Sequence, residues 1–224
     1  SEEFLRSEGM YVALEMKVGV DRTYVVKNIQ EFLTDAKEFK THEFTKRFEY
    51  DPAEHFFIEE DRKIIELLMD IMTNESFYKN SYSMYRSSAN NRELIIPSII
   101  AKELFQLLKD RSFIFIHDGH SYENIILAES SAPFSFQLNK HPAAGFELDF
   151  TELHQASFFD RYGWLFLNGT FYELSQDQRM LLEGLRKTAP LKPVVPIAEE
   201  QMGNFLSHVV PGLKKVGKVD IAKE

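Results

Sequence analysis

The sequence predicts an α+β fold, a mainly antiparallel sheet covered by about five helices. Residues 10–18 alternate between apolar and polar, which is the period of a half-buried strand. Three pairs of apolar segments flank turn sequences as hairpin strands do. From Glu59 to Met72, apolar residues recur at helical spacing.

Taken in order, Met10, Val12, Leu14, Met16 and Val18 share one face of the first strand, with Glu15 and Lys17 on the other. Gly19-Val20-Asp21 turns the chain into a second strand at Tyr24-Val25-Val26. Asn28 can then cap a helix, because its side-chain oxygen reaches the free N–H groups of the first turn, and Ile29, Phe32, Leu33 and Ala36 form one stripe. Phe44, Lys46, Phe48 and Tyr50 are expected on one face of a third strand closed by Asp51-Pro52. The next helix carries Ile64, Ile65, Leu67, Leu68, Ile71 and Met72, and its opening acids Glu59, Glu60 and Asp61 favour the positive end of its dipole. Residues 79–92 (KNSYSMYRSSANNR) are polar and rich in Ser and Asn, which marks an internal loop or a boundary between two subdomains.

A short strand at Leu94 to Ile96 precedes Pro97-Ser98, which opens a helix bearing Ile99, Ile100, Leu104, Leu107 and Leu108. The hairpins follow: Phe113–Ile116 with Tyr122–Leu127 around Asp118-Gly119, Phe134–Leu138 with Phe146–Phe150 around 139–145, and Trp164–Leu167 with Thr170–Leu174 around Asn168-Gly169. Ser175 and Gln178 have the spacing of a capping box for a helix reaching about Lys187. The prolines at 190, 193 and 196 forbid helix there, and a last helix from about Ala198 toward Lys215 must kink at Pro211 before a strand holding Val219.

Composition narrows the function. With 224 residues, 44% of them hydrophobic and including 20 Phe and 9 Tyr, the chain can bury an aromatic core as one large or two small domains. It has no cysteine, which excludes disulfides, thiolate nucleophiles, iron–sulfur clusters and sulfur-ligated zinc fingers. No apolar run reaches the roughly 18 residues a membrane span needs, and Ser1-Glu2-Glu3 is unlike a signal peptide, so a cytoplasmic protein is expected. The net charge of −9 disfavours DNA binding by the whole surface. Any such contact must be local, and the candidates are the basic stretch Lys214, Lys215 and Lys218, and the mixed loop of Lys79, Tyr82, Tyr85 and Arg86, whose aromatic and basic residues suit single strands.

Other constellations have plainer explanations. Residues 212–219 (GLKKVGKV) have the glycine spacing of a phosphate loop, but Val219 stands where a magnesium-ligating hydroxyl is needed, and the order is helix then strand, with Gly217 expected at the helix C-terminus. His117-Asp118-Gly119-His120 could offer metal ligands, yet Asp-Gly is first a hairpin turn. Asp51, His55 and the acids at 59–61 lack a partner nucleophile, and Ser207 and His208, as helix neighbours, point about 100° apart. No catalytic, cofactor or metal residue is assigned.

Three stretches, Val18–Leu33 (VGVDRTYVVKNIQEFL), Phe48–Leu68 (FEYDPAEHFFIEEDRKIIELL) and Phe205–Ile221 (FLSHVVPGLKKVGKVDI), together resemble the helicase-associated domain that precedes the ATPase motor of bacterial Swi/Snf-type proteins. The resemblance implies a non-catalytic accessory domain, a structural or regulatory platform for a DNA-translocating motor in the same polypeptide. ATP and magnesium would then belong to that motor, and DNA would be engaged through the parent protein. The alternatives are a nucleic-acid-binding module and a stand-alone small-molecule enzyme.

Overall fold

The computed structural model describes residues 1–8, 11–82, 90–128 and 134–222, and the chain divides into two units, Ser1–Ile126 and Leu127–Glu224. The fold is α+β, with mostly antiparallel sheets and five helices of eight residues or longer among the described residues. None of the described helices is long and apolar enough to cross a membrane.

In the first unit, β1 (Glu2–Glu8) pairs antiparallel with β2 (Tyr11–Gly19), Leu5 opposite Leu14. Val12, Leu14, Met16 and Val18 are buried, as their alternation requires, while Glu15 and Lys17 are half-buried. β3 (Thr23–Val25) adds to the outer side of β2, and β7 (Ile114–His117) lies parallel to β1 and is followed by β8 (His120–Glu123), giving the order β3-β2-β1-β7-β8. The sequence reading has no β1. In EEFLRSE only Phe4 and Leu5 are apolar, and the fully buried second residue is a glutamate, Glu3, held by Arg111.

Helix α1 (Ile29–Lys37) is capped by Asn28, whose Oδ1 accepts from the Glu31 N–H at 3.1 Å, and it buries Ile29, Phe32, Leu33 and Ala36. The stretch expected as one strand is a hairpin, β4 (His42–Thr45) and β5 (Phe48–Tyr50), because Lys46 and Arg47 make its turn and the Thr45 hydroxyl accepts from the Arg47 N–H at 3.1 Å. α2 (Glu59–Thr73) buries Ile64, Ile65, Leu67, Leu68 and Ile71. α3 (Glu75–Tyr82) then occupies the start of the stretch expected as a loop.

The boundary between units falls between Ile126 and Leu127, downstream of residues 79–92. The chain after residue 89 is tied back into the first unit: the Asn91 carbonyl accepts from the Ile29 N–H at 2.9 Å, and β6 (Leu94–Ile95) pairs with Leu14 and Ala13 of β2. α4 (Ser98–Leu108) starts after Pro97 and buries Ala101, Leu104, Phe105 and Leu108, whereas Ile99, expected on the apolar stripe, is 79% exposed. Asp118 (φ 48°) and Gly119 (φ 74°) both take positive φ, which is the turn that matches the twist of a two-residue hairpin.

The second unit contains two four-stranded sheets. One has the order β15-β11-β10-β16, from β10 (Phe134–Lys140), β11 (Phe146–Asp149), β15 (Val194–Ile197) and β16 (Gly217–Ile221). The other has the order β12-β13-β14-β9, from β9 (Ile126–Ala128), whose first residue is the last of the first unit, β12 (Ser157–Phe159), β13 (Trp164–Leu167) and β14 (Thr170–Glu173). Phe134, Phe136, Leu138, Leu148, Phe150, Phe158, Leu165, Leu182 and Leu213 form one buried cluster, to which α5 (Thr151–Gln155) adds Leu153. The capping box of α6 (Gln176–Thr188) is present: Gln178 N–H donates to Ser175 Oγ at 3.2 Å, and Ser175 N–H donates to Gln178 Oε1 at 3.0 Å. The proline-rich segment supplies β15, an edge strand, where Pro196 costs no ladder bond that an interior strand would need.

Candidate functional site

The C-terminal basic stretch stands on an irregular helix that ends in a strand. A 3₁₀ turn (Glu199–Gln201) and α7 (Met202–Asn204) lead into a π turn, Phe205–Val209, in which the Val210 N–H reaches back to the Phe205 carbonyl. Proline at 211 has no N–H to donate, so α8 (Val210–Lys214) begins afresh with Pro211 in its first turn. The expected kink is thus taken up as a widened turn just ahead of the proline. α8 buries Val210 and Leu213, and Val216 follows them into the cluster, which leaves Lys214 and Lys215 exposed. The Lys215 carbonyl accepts from Gln178 Nε2 at 3.3 Å, fixing the end of α8 against the start of α6.

β16 runs parallel to β10, with Phe134 opposite Gly217 and Leu138 opposite Ile221. A Cβ on Gly217 would meet the Phe134 carbonyl oxygen at 2.2 Å. That close approach, rather than a helix cap, is the reason for glycine here; the helix closes at Lys215 and Val216, whose N–H groups return to the Gly212 and Leu213 carbonyls at 3.1 Å each. β16 ends its sheet, so its outer backbone edge faces no strand among the described residues. Lys218 is exposed on that edge, 3.5 Å from Asp220, a pairing that partly neutralises it. Lysine on a free edge also discourages unwanted strand pairing. Residues 212–219 run from helix into strand, the reverse of the strand-then-helix order of a phosphate loop.

The structure separates the other candidates. Lys79 and Tyr82 belong to α3, their side chains lie outside the described residues, and so do Tyr85 and Arg86 entirely. His55 Nδ1 accepts from the Asp51 N–H at 3.0 Å, and Asp51 Oδ1 accepts from the Ala53 N–H, so these two build a turn. Glu59 instead pairs with Arg62 at 2.7 Å, and Asp61 is buried against Arg111. Burial drives the Asp61 carboxyl upward, but hydrogen bonds from the Ser1 ammonium and Arg111 outweigh it and hold the group below its ordinary range. His117 is buried, and desolvation lowers its pKa against the opposing charge of Asp118; its Nδ1 lies 2.7 Å from Ser7 Oγ. The exposed His120 has its Nδ1 3.0 Å from the Asp118 carbonyl, a contact made within its own turn. His208 Nδ1 lies 3.2 Å from the Asn204 carbonyl on the preceding helical turn.

Two features were not singled out from sequence. One is a pocket of about 350 Å³ lined by Phe48, Tyr50, Glu54, His55, Phe57 and Asp61, with Phe56 87% exposed at its rim. Its rings come from β5 and the irregular segment after it, a segment with no periodicity to read. The other is a hydrogen-bonded pair, Asp35 and His42, with Asp35 Oδ2 2.7 Å from His42 Nδ1.

Residues 92–224 match the family described as bacterial SNF2 helicase associated, a span that includes the whole second unit and, within the first, the segment from Arg92 onward. Of the three stretches that carried the resemblance, Phe205–Ile221 lies inside this span and the other two precede it. No curated protein and no solved structure matches the chain. The match covers more than half of the sequence, and the chain belongs to the bacterial SNF2 helicase associated family.

Proposed function

We propose that this chain is a non-catalytic accessory domain of a bacterial Swi/Snf-type, ATP-dependent DNA translocase, acting in the cytoplasm as a platform for the ATPase motor of the same polypeptide. The family match over residues 92–224 is the observation that carries this reading. The contact surface is the C-terminal edge, where Lys214, Lys215 and Lys218 stand exposed beside the free side of β16. ATP and magnesium are held by the motor and DNA is engaged through the parent protein.

A second reading, direct nucleic-acid binding, draws on the same three lysines. Their local charge contrasts with a net charge of −9, and neutralised phosphates would make such binding steeply salt-dependent.

Replacing the three lysines by glutamate in the intact parent tests both, with DNA-stimulated ATP turnover and DNA affinity measured at two salt concentrations. Motor docking gives lowered turnover with DNA affinity and its salt slope little changed. Phosphate contact gives weaker DNA binding with a flatter salt slope. Turnover, affinity and slope that all match the unmodified parent overturn the platform surface. DNA-stimulated ATP hydrolysis by the isolated chain, abolished by Lys218→Ala, overturns its non-catalytic character.

A further inference from the structure

We propose that Glu31, Asp35 and His42 form a binding site for a divalent transition-metal ion of the zinc type. Glu31 and Asp35 are four residues apart on α1 and so lie one above the other on the same helix face. The third ligand arrives from β4. One carboxylate oxygen from each acid and one imidazole nitrogen of His42 all lie within 4.8 Å of one another.

The backbone fixes this convergence. α1 is anchored by four buried apolar residues on its opposite stripe, and it ends with the Lys40 N–H donating to the Asp35 carbonyl at 2.8 Å. Phe39 takes a positive φ of 55°, which reverses the chain so that His42, the first residue of β4, comes back beside Asp35. The His42 ring is buried and set edge-on to Phe32 and Phe44, with centroids 5.4 and 5.0 Å away. Two of the three ligand side chains therefore have little freedom, and the exposed Glu31 supplies the adjustment.

Charge favours a cation. Two carboxylates and an imidazole carry a surplus of negative charge, and the neighbouring ammonium groups are engaged elsewhere. Lys37 donates to Thr73 Oγ1 at 2.8 Å, and Lys40 is paired first with Glu38, with Asp35 contributing only a weaker attraction. No other described residue bonds the Glu31 carboxylate. An imidazole with two carboxylates suits zinc and related ions better than magnesium or calcium, which prefer oxygen alone. Metal–ligand bonds near 2.1 Å place tetrahedral ligand atoms about 3.4 Å apart, so Glu31 swings inward and Asp35 and His42 part slightly on binding. A bound ion would clip α1 to β4 and keep a position open to water or to a partner's ligand on the Glu31 side.

The test titrates Zn²⁺ alone into chelator-treated chain, with calorimetry for affinity and nitrogen NMR for the His42 ring. One equivalent is expected to bind and to shift the His42 ring resonances. Glu31→Gln, Asp35→Asn and His42→Gln should each weaken binding by about tenfold or more, while His120→Gln leaves it unchanged. Glu31 is exposed and its replacement nearly isosteric, so circular dichroism of that variant separates lost ligation from lost folding. Absence of binding at millimolar Zn²⁺, or binding that survives His42→Gln, overturns the site.

Discussion

Arg111 donates from Nη1 to Asp61 Oδ1 at 2.5 Å, and from Nη2 to Glu3 Oε2 at 3.0 Å, so one guanidinium joins β1 to α2 from the end of α4. The Glu3 side chain is fully shielded from water and Asp61 nearly so, leaving these charges dependent on each other. Arg111→Met should destabilise the chain by about 3–5 kcal/mol, because it strips the buried Glu3 carboxylate of its charged partner and leaves Asp61 with the Ser1 ammonium alone. Chemical denaturation measures the loss, and amide hydrogen exchange should show it concentrated in β1 and β7.

The same cluster should give the first unit an acid dependence. Asp61 has its carboxyl held below the ordinary range in the folded state, so its stabilising contribution is complete above that range and is lost as pH falls through the lowered value. Acid titration of the wild type should therefore weaken the first unit at the low end. Asp61→Asn, already neutral, should be less stable at neutral pH and show a flatter acid dependence. Exchange rates in α2 across the titration check this.

Much of this architecture was legible because the signals were local. Asn28, the Ser175–Gln178 box and the Asp118-Gly119 and Asn168-Gly169 turns each act within four residues, and each acts where the sequence placed it. β1 was illegible because its inward glutamate is satisfied by an arginine far along the chain. The two strands at 42–50 read as one because the apolar alternation runs through the turn, and only the Thr45–Arg47 hydrogen bond marks the break. Of the candidate surface, the exposed lysines could be seen in advance. The free edge beside them could not, since which strand ends a sheet is decided by pairings distant in sequence.

Gly217→Ala should destabilise the second unit by about 1–3 kcal/mol, because the added methyl meets strand backbone that has nowhere to move. Trp164 is the only tryptophan and is buried in β13, so its fluorescence reports this unit. Gly184→Ala, where an added Cβ meets nothing within 4 Å, is the matched control and should be neutral or mildly stabilising.

Glu183 offers a pH dependence of opposite sign. A hydrogen bond with Asp160 raises its carboxyl above the usual range, with burial adding to the effect. Its contribution is present while it is protonated and is lost as pH rises through the raised value, when two carboxylates face each other. Glu183→Gln should remove that loss, so the variant gains stability over wild type at neutral pH and not in mild acid. Urea midpoints followed by Trp164 fluorescence at the two pH values decide it.

Each unit contains a parallel strand pair that joins distant parts of the unit: Phe4 lies opposite Ile114, and Phe134 opposite Gly217. A nascent chain leaving the ribosome can form its capped helices and tight hairpins early, but neither sheet can close until the far strand has emerged. Such pairings raise contact order and slow the final step. The first unit gains β7 while β16 is still unmade, so the two should fold in succession. Until β16 arrives, β10 presents an open edge next to a phenylalanine-rich core, and this interval is when the newly made protein is most exposed to misassembly.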